Sequence, residues 1–283
     1  MPELPEVESI RKQLDKFLKN HTIQSIEVKN RRIFEGNEKD VIGAKFTGAR
    51  RFGKVTVLDL NNKKSIAIHV KMTGQLIYQG PNFPKPPKMS PKVTGGVPGP
   101  HTHVIFTLDR KGVLYYNDFR RFGWIKVVDT DKLKDKDGFI GKLGPEPFSD
   151  LTFDYFKEIL EKTRRTIKVL IMDQARIAGV GNIYANDALF LSRISPSRAA
   201  NSLSDKEKKK LYDAIHNVLK EGMKYGGSSE NSFVTPDGQE GQYQRHTLVY
   251  GRQGQICGNC KKAKFVKTML GGRGTYFCPQ CQK

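Results

Sequence analysis

The feature that most constrains this chain is a pair of Cys-x-x-Cys motifs near the end of the sequence. CGNC supplies Cys257 and Cys260, and after seventeen further residues CPQC supplies Cys278 and Cys281. Four thiolates at this spacing can surround one tetrahedral cation and leave no coordination position open for water. The motif pair therefore predicts one structural Zn²⁺.

The segment between the cysteine pairs predicts a β-hairpin. In KFVKTMLGGRGTYF the residues alternate up to Gly271 and Gly272, and paired glycines suit a two-residue hairpin turn. Zinc and hairpin together indicate a zinc ribbon with Arg273 held at its tip. A redox-active cysteine pair is the alternative, although such pairs occur singly in a βαβ context that this sequence lacks. Two disulfides would suit a small secreted domain, and no secretory signal is present.

Charge points to a polyanionic partner. The chain of 283 residues has 49 Lys plus Arg against 29 Asp plus Glu, a formal net charge of +20. Nucleic acid is the leading candidate for the partner. An anionic membrane surface is the rival, but no apolar run reaches the roughly 18 residues of a spanning helix. We therefore expect a cytoplasmic protein that associates with the nucleoid through DNA.

Hydrophobic periodicity predicts an α+β multidomain architecture. An amphipathic helix should begin near Pro5, and a period of two between residues 23 and 128 predicts a β-sandwich. Four helical segments follow, the last with a Ser-x-x-Glu start at Ser204 and Glu207. The Pro-, Gly- and Lys-rich residues 80–101 read as an exposed, largely unstructured insertion. The predicted domains are a catalytic β-sandwich domain at 1–130, a linker at 131–150, a helical domain at 151–240 and the zinc ribbon at 241–283.

Two shorter motifs carry chemistry only weakly by themselves. In AGVGNIYAN, glycines before a helix start could present N–H groups to a phosphate, and Asn182 could cap that helix or donate to the same anion. By itself, this stretch is better explained as a plain turn between helices. In the opening MPELPEVE, removal of Met1 would give Pro2 a free secondary amine, with Glu3 and Glu6 as proton-transfer groups. On these residues alone, the favoured interpretation is that the acidic residues match the helix dipole.

Taken together, these segments resemble the formamidopyrimidine-DNA glycosylase family over nearly the whole chain. The resemblance rests on MPELPEVE, RRFGK, HVKMTG, NDFRRFG, LGPEP, AGVGNIYAN, VYGRQG and GGRGTYFCPQC, in that order. It implies a helical domain of the helix-two-turn-helix type and a bifunctional glycosylase and abasic-site lyase for oxidised purines in DNA. It also implies damaged double-stranded DNA as the partner of a monomeric enzyme.

The resemblance also assigns roles to individual residues. Pro2 corresponds to the nucleophile that forms a Schiff base, Glu3 to the acid that assists sugar-ring opening, and Glu6 to a carboxylate near the same site. The remaining matched residues are expected to contact DNA. The residues that correspond to hydrogen-bond donors to DNA phosphate are Lys54, His69, Asn182 and Arg273. The residues that correspond to those inserted into the duplex are Met72, Arg120 and Phe122. Lys168 corresponds to a lysine near the lesion pocket. Residues 226–243 match a loop that closes over the flipped base.

Two departures from the family pattern leave questions open. Residues 81–100 have no counterpart in the commonest bacterial forms, and the loop at 226–243 does not identify the preferred base. An endonuclease VIII-like specificity for oxidised pyrimidines is the nearest rival, although Leu4 stands where those enzymes usually have glycine. A DNA-binding zinc-ribbon protein without catalytic activity is the rival of another class, since it would not need Pro2.

Overall fold

The computed structural model describes residues 1–81, 83 and 88–283; Asn82 and residues 84–87 of the insertion lie outside the described residues. Contacts between residues divide the chain into two compact units. Unit 1 comprises Met1–Lys142 and Tyr225–Gln244, and unit 2 comprises Leu143–Lys224 and Arg245–Lys283. The two units are described separately below.

In its described residues, unit 1 contains one α-helix and two β-sheets. Helix α1 spans Leu4–Leu18, and the strands are β1 Ile23–Val28, β2 Phe34–Glu35, β3 Phe46–Phe52, β4 Val55–Leu60, β5 Lys64–His69, β6 Gly74–Gln79, β7 Thr102–Leu108, β8 Val113–Asp118 and β9 Trp124–Asp129. Short 3₁₀ turns occupy Glu38–Asp40, Asp109–Lys111 and Thr130–Lys134. The strand order is β1-β7-β8-β6 in one sheet and β2-β9-β5-β4-β3 in the other. All pairs are antiparallel except β2 with β9, which confirms the β-rich prediction.

Helix α1 buries its apolar stripe against both sheets. Ile10, Leu14 and Phe17 lie at helical spacing and belong to one core cluster with residues of β5 and β7, such as Ile66 and Phe106. Each such side chain stabilises the fold by roughly 1.5–3 kcal/mol relative to an exposed position. The packing fixes the N-terminal end of α1, and with it Pro2 and Glu3, against the sandwich.

Residues 88–100 of the insertion differ from the unstructured segment that composition predicts. They form no helix or strand, yet side chains of the sandwich hold them by hydrogen bonds. The Gln75 side chain donates to Lys92 O at 2.7 Å and accepts from Thr94 N at 3.0 Å. The Asn117 side chain donates to Gly96 O at 2.9 Å. The buried amides of Gln75 and Asn117 need partners, and the insertion supplies them.

Unit 2 contains four helices and a two-stranded hairpin. The helices are α2 Phe153–Glu161, α3 Ile167–Ile171, α4 Asn182–Ser192 and α5 Asp205–Lys224, and the hairpin strands are β10 Val266–Leu270 and β11 Arg273–Phe277. Further 3₁₀ turns lie at Ala200–Ser202 in this unit and at Tyr243–Arg245. Helix α3 is shorter than its periodicity suggests. Asp173 Oδ1 accepts from the Ala175 N–H at 3.1 Å, a local turn that competes with helix continuation.

The predicted start of α5 and the hairpin turn are confirmed. Ser204 N donates to Glu207 Oε2 at 2.8 Å, and Glu207 N donates to Ser204 Oγ at 3.4 Å, which together form a capping box. Gly271 and Gly272 adopt φ of 56° and 70°, as a two-residue hairpin turn of this hand requires. Arg273 pairs with Leu270 directly beside that turn.

The contacts of Tyr225–Gln244 place this segment in unit 1, although the sequence suggests grouping it with the helices. The physical reason is that its backbone bonds to residues of the sandwich and to α1, as described below. Among the residues described, no helix is long and apolar enough to cross a membrane.

Candidate active site and nucleic-acid interface

The N-terminal end of α1 holds the three residues that the sequence selected for chemistry. Pro2 is buried, and Glu3 and Glu6 are 2% and 1% exposed. The Glu3 backbone N–H donates to Glu6 Oε2 at 2.7 Å. This bond closes the first turn of the helix and brings the Glu6 carboxylate beside Pro2. The structure therefore brings the three residues together.

The other oxygen of Glu6 contacts the segment that the resemblance identified as a loop. The Ser228 backbone N–H donates to Glu6 Oε1 at 2.7 Å. Gly227 precedes it with φ of +86°, and a Cβ on Gly227 would lie 2.7 Å from Glu6 Cγ. Only glycine allows this approach. Sequence reasoning missed Gly227 and Ser228, and the sole signal was the consecutive glycines at 226 and 227.

A cluster of basic residues lies at the end of β5. Burial, and then the positive charges of Lys71 and Lys54, lower the pKa of His69 to about 3, so its imidazole is neutral near pH 7. The Lys71 backbone N–H donates to His69 Nδ1 at 2.9 Å, which leaves the proton on Nε2. His69 thus offers a hydrogen-bond donor with fixed orientation. Lys54, only 6% exposed, occupies the turn between β3 and β4.

Met72, Arg120 and Phe122 form one exposed cluster. The exposed fractions of Met72 and Phe122 are 38% and 55%. Met72 lies in the turn between β5 and β6, so it is not the core residue that continued alternation after β5 would suggest. The Arg120 guanidinium lies 4.7 Å from the centre of the Phe122 ring, and its Nη1 donates to the Met72 sulfur at 3.3 Å. The planar cation is thereby held by a ring and a thioether, and its other guanidinium donors have no partner among the residues that the structure describes.

A buried carboxylate organises the loop that carries this cluster. Asp118 is fully buried and accepts from Thr73 Oγ1 at 2.5 Å and from the Gly123 N–H at 2.8 Å. The Arg120 N–H in turn donates to Thr73 Oγ1 at 3.0 Å. Asp118 therefore fixes both ends of the turn between β8 and β9, which accounts for the form of the NDFRRFG motif.

In unit 2, two of the residues predicted to contact DNA, Lys168 and Asn182, meet at the carbonyl of Gly274. Lys168 Nζ donates to this oxygen at 2.9 Å and to Thr275 Oγ1 at 2.7 Å, and Asn182 Nδ2 donates to the same carbonyl at 3.1 Å. Arg273 is the exposed neighbour of Gly274. Lys168 is fully buried. Its two hydrogen bonds to β11 therefore support the hairpin from the protein interior. Gly181, not Asn182, is the N-cap of α4, and the capping role suggested for Asn182 is therefore wrong.

Further residues of α4 attach the ribbon to the helical part of unit 2. Asn186 Oδ1 accepts from the Tyr276 N–H of β11 at 2.8 Å. The Asp187 carboxylate accepts from three successive backbone N–H groups, of which that of Val249 is at 3.0 Å. The AGVGNIYAN and VYGRQG motifs, distant in sequence, are thus joined through one helix.

The four cysteine sulfurs form a cluster suited to a metal ion. All lie within 4.8 Å of one another; Cys257 and Cys281 Sγ are 3.7 Å apart, and Cys260 and Cys278 Sγ are 3.8 Å apart. A tetrahedral cation with metal–sulfur bonds of about 2.3 Å requires separations of about 3.8 Å. Hydrogen bonding from the Ala263 backbone lowers the pKa of the Cys260 thiol to about 6. The donor set therefore fits a thiophilic divalent ion.

Comparison with known proteins agrees with this geometry. The profile described as the formamidopyrimidine-DNA glycosylase N-terminal domain matches residues 1–125, and that of the formamidopyrimidine-DNA glycosylase H2TH domain matches residues 143–234. The formamidopyrimidine-DNA glycosylase of Pelotomaculum thermopropionicum is 38% identical over 100% of this chain and 99% of its own length. The chain belongs to the formamidopyrimidine-DNA glycosylase family. As a member, it is a DNA glycosylase.

Solved structures of family members superimpose over the full chain. The MutM (Fpg) protein from Thermus thermophilus is 34% identical, with a TM-score of 0.86 over 99% of this chain and 98% of that one. Lactococcus lactis Fpg in complex with DNA containing an abasic site is 32% identical, with a TM-score of 0.86 over 99% of each chain. These likenesses confirm the α+β architecture of a β-sandwich, an H2TH domain and a C-terminal four-cysteine cluster.

Proposed function

We propose that this protein excises oxidised purines, namely 8-oxoguanine and formamidopyrimidines, from duplex DNA and then cleaves the strand through the amine of Pro2. The observation that carries this proposal is the buried Pro2, Glu3 and Glu6 group, in which two backbone N–H donors at 2.7 Å orient the Glu6 carboxylate. A helix that only needed acidic residues for its dipole would not bury them. Lactococcus lactis Fpg was solved with DNA containing N7-benzyl-Fapy-dG and with DNA containing an abasic site, which supports the same substrate class.

The reaction begins once Met1 has been removed. The lone pair of the Pro2 nitrogen forms a bond to C1′ of the damaged nucleotide, and the glycosidic bond breaks with its electron pair on the departing base. The base takes up a proton, and the nitrogen, now bonded to C1′, gives up its N–H proton and so regains a lone pair. The bond from C1′ to the ring oxygen then opens, the nitrogen lone pair forms an iminium ion, and the ring oxygen accepts a proton from Glu3.

The iminium ion makes strand cleavage accessible. Loss of the C2′ proton to a carboxylate, Glu3 in our assignment, forms a C2′–C3′ double bond while the 3′ phosphate leaves with the C3′–O electron pair. Loss of the C4′ proton expels the 5′ phosphate in the same way, and water hydrolyses the imine and frees Pro2. Glu6 makes no bond to the substrate in this scheme and holds the end of α1.

DNA binding is assigned to the donors and exposed groups described above. Lys54 and His69 in unit 1, and Asn182 and Arg273 in unit 2, are hydrogen-bond donors of the kind that contact phosphate. Met72, Arg120 and Phe122 enter the space left by the extruded nucleotide, whose lost stacking must be offset. Lys168 supports Arg273 near the lesion. The enzyme acts as a monomer on damaged DNA in the cytoplasm, at the nucleoid.

We assign one structural Zn²⁺ to the cysteine cluster. Cys257, Cys260, Cys278 and Cys281 would hold it, and a shell of four thiolates leaves no site at which water could be activated. The ion therefore supplies folding free energy to the ribbon that presents Arg273 and takes no part in bond breaking.

The decisive experiment combines intact mass with borohydride trapping. The purified protein should be lighter by one methionine, and borohydride should trap a covalent adduct with duplex DNA containing 8-oxoguanine. A matched protein with an N-terminal tag should bind the same duplex without cutting it. Strand cleavage by the blocked protein would refute the assignment of Pro2, and binding without excision by the unblocked protein would favour a DNA-binding protein without catalytic activity.

A second substrate class is included because one structural relative, Lactococcus lactis Fpg, was solved with DNA that contains an oxidised pyrimidine. Thymine glycol therefore serves as the competing substrate in the same assay. Faster excision of thymine glycol than of 8-oxoguanine would support an endonuclease VIII-like specificity.

A further inference from the structure

The insertion residues 88–100, which we call the strap, and residues 226–243, which we call the loop, share a buried anchor on β6. Gln75 is 1% exposed, and its Nε2 donates both to Lys92 O of the strap at 2.7 Å and to Ser232 O of the loop at 2.6 Å. Ser232 Oγ also donates to Met72 O at 3.2 Å. One buried amide therefore sets the positions of strap and loop relative to each other.

Side chains of the strap bind the loop directly. Lys92 Nζ donates to Glu240 Oε2 at 2.8 Å and also to the backbone carbonyl of Ser229. Ser90 Oγ donates to Glu240 Oε1 at 2.6 Å, and its backbone N–H donates to Gly238 O at 2.9 Å. The Lys92 ammonium thus joins the two ends of the loop, since Ser229 lies near its beginning and Glu240 near its end.

Ser229, which accepts a hydrogen bond from Lys92, directly follows Ser228, the residue that contacts Glu6 of the candidate active site. The neighbouring Ser228 N–H donates to Glu6 Oε1, and Glu6 Oε2 accepts from the Glu3 N–H next to Pro2. The chain of contacts therefore runs without a gap from Lys92 through the loop backbone to Glu6. Side chains of Lys92 and Glu240 are 34% and 28% exposed, which shields the ion pair in part from solvent.

We propose that Lys92 is a positioning residue that holds the start of the loop against Glu6, and that the strap preorganises the active site through it. The proposal rests on the proposed function at Pro2. Its physical basis is that a loop fixed before substrate arrives does not have to be ordered during binding. A small displacement of a positioned catalytic group costs up to about 100-fold in rate.

The test compares Lys92→Met with Lys92→Arg and with Lys39→Met, an exposed lysine of the same unit that controls for the loss of one positive charge. Hydrogen exchange of residues 226–233 should speed up in Lys92→Met alone. The single-turnover rate of 8-oxoguanine excision should fall about 10-fold in Lys92→Met. Its affinity for undamaged duplex should match that of Lys39→Met. Lys92→Arg, which keeps donors for both acceptors, should recover most of the rate.

The proposal would be overturned by exchange of residues 226–233 that is unchanged in Lys92→Met, or by an excision rate equal to that of Lys39→Met. A rate loss that Lys92→Arg does not relieve would also count against it. Failure of the proposed function is distinguishable, since it would show as absent excision by the wild type, whereas the hydrogen-exchange comparison needs no substrate.

Discussion

Glu6 and Ser228 are separated by 222 positions in the chain, yet the Ser228 backbone N–H donates to Glu6 Oε1 at 2.7 Å. The bond connects the first turn of α1 to a segment that follows the last helix of unit 2 in sequence. Because Glu6 also accepts from the Glu3 N–H, its carboxylate has a backbone donor on each oxygen. Both donors are backbone N–H groups, so each needs an oxygen acceptor, and the two oxygens of a carboxylate supply one acceptor each.

Glu6→Gln should therefore impair both stability and excision. The amide has nearly the same shape, but its NH₂ group must face one of the two N–H donors and leave that donor unsatisfied. A buried unsatisfied donor costs about 1–3 kcal/mol of unfolding free energy. Denaturant unfolding measures this loss, and single-turnover excision should slow as the N-terminal turn loosens. Glu27→Gln, at an exposed position of β1, is the control, and equal behaviour of the two variants would contradict this role of Glu6.

Arg273→Ala should weaken DNA binding and reduce its salt dependence. Arg273 lies at the hairpin turn, and Lys168 and Asn182 fix the adjacent Gly274 carbonyl. Loss of one phosphate contact lowers the slope of log affinity against log salt by about 0.9. Titration of duplex DNA at several salt concentrations measures the slope. Lys206→Ala on the exposed side of α5 should leave it unchanged.

Removal of the metal should weaken DNA binding, as Arg273→Ala does, and should also disrupt the structure of the hairpin. The four sulfurs lie within 4.8 Å of one another, and without a cation the ribbon loses the ligand that draws them together. We expect a chelator to expose the hairpin to proteolysis and to weaken DNA binding, and added Zn²⁺ to restore both. Full affinity after metal removal, verified by metal analysis, would refute the structural role.

His69 gives a prediction for the pH dependence of stability. Its pKa is lowered from 6.5 to about 3 in the folded chain, so between these values the unfolded chain binds a proton that the folded chain does not. The unfolding free energy therefore rises as pH rises from about 3 to 6.5, and this contribution is constant above pH 6.5. His69→Gln should remove part of that rise, by at most about 1.4 kcal/mol per pH unit. Denaturant unfolding across this range tests it, with His101→Gln as the control.

The sequence predicted elements whose signals are local. Helix α1, helix α4 and the hairpin turn at Gly271 and Gly272 follow from periodicity, composition and turn chemistry within a few residues. The cysteine cluster also followed, because four ligands of one chemical type at fixed spacing leave few geometries. The resemblance supplied the roles of Arg120 and Phe122, which in isolation looked like an ordinary loop.

What the sequence could not supply were contacts between distant segments made by backbone groups. The donor to Glu6 is the N–H of Ser228, a group that every residue except proline has, so no residue type marks it. Composition also gave an incomplete prediction for residues 88–100. Their Pro, Gly and Lys content predicts an unstructured segment, whereas hydrogen bonds hold it against the sandwich. That segment is held in part by hydrogen bonds to the side chains of Gln75 and Asn117. Nothing in the sequence indicates that either side chain faces the insertion.

Arg120 should read the base opposite the extruded lesion. Its guanidinium is held over the Phe122 ring at 4.7 Å, which orients a planar fork of donors. Cytosine presents adjacent acceptors, O2 and N3, to such a fork, whereas adenine presents N1 beside an amino donor. A lost paired contact of this kind costs roughly 1–3 kcal/mol, or about one to two decades in rate. We therefore expect faster excision of 8-oxoguanine opposite cytosine than opposite adenine.

Arg120→Ala should reduce this preference while borohydride trapping on abasic DNA stays measurable, because the chemistry at Pro2 does not use the opposite base. The measurement is single-turnover excision on duplexes that differ only in that base. Arg121→Ala, which removes the same charge at the next position, is the control for general loss of DNA affinity and should keep the preference. A preference unchanged in Arg120→Ala would exclude the guanidinium as the reading group, and would leave Met72 and Phe122 to fill the duplex without discriminating between opposite bases.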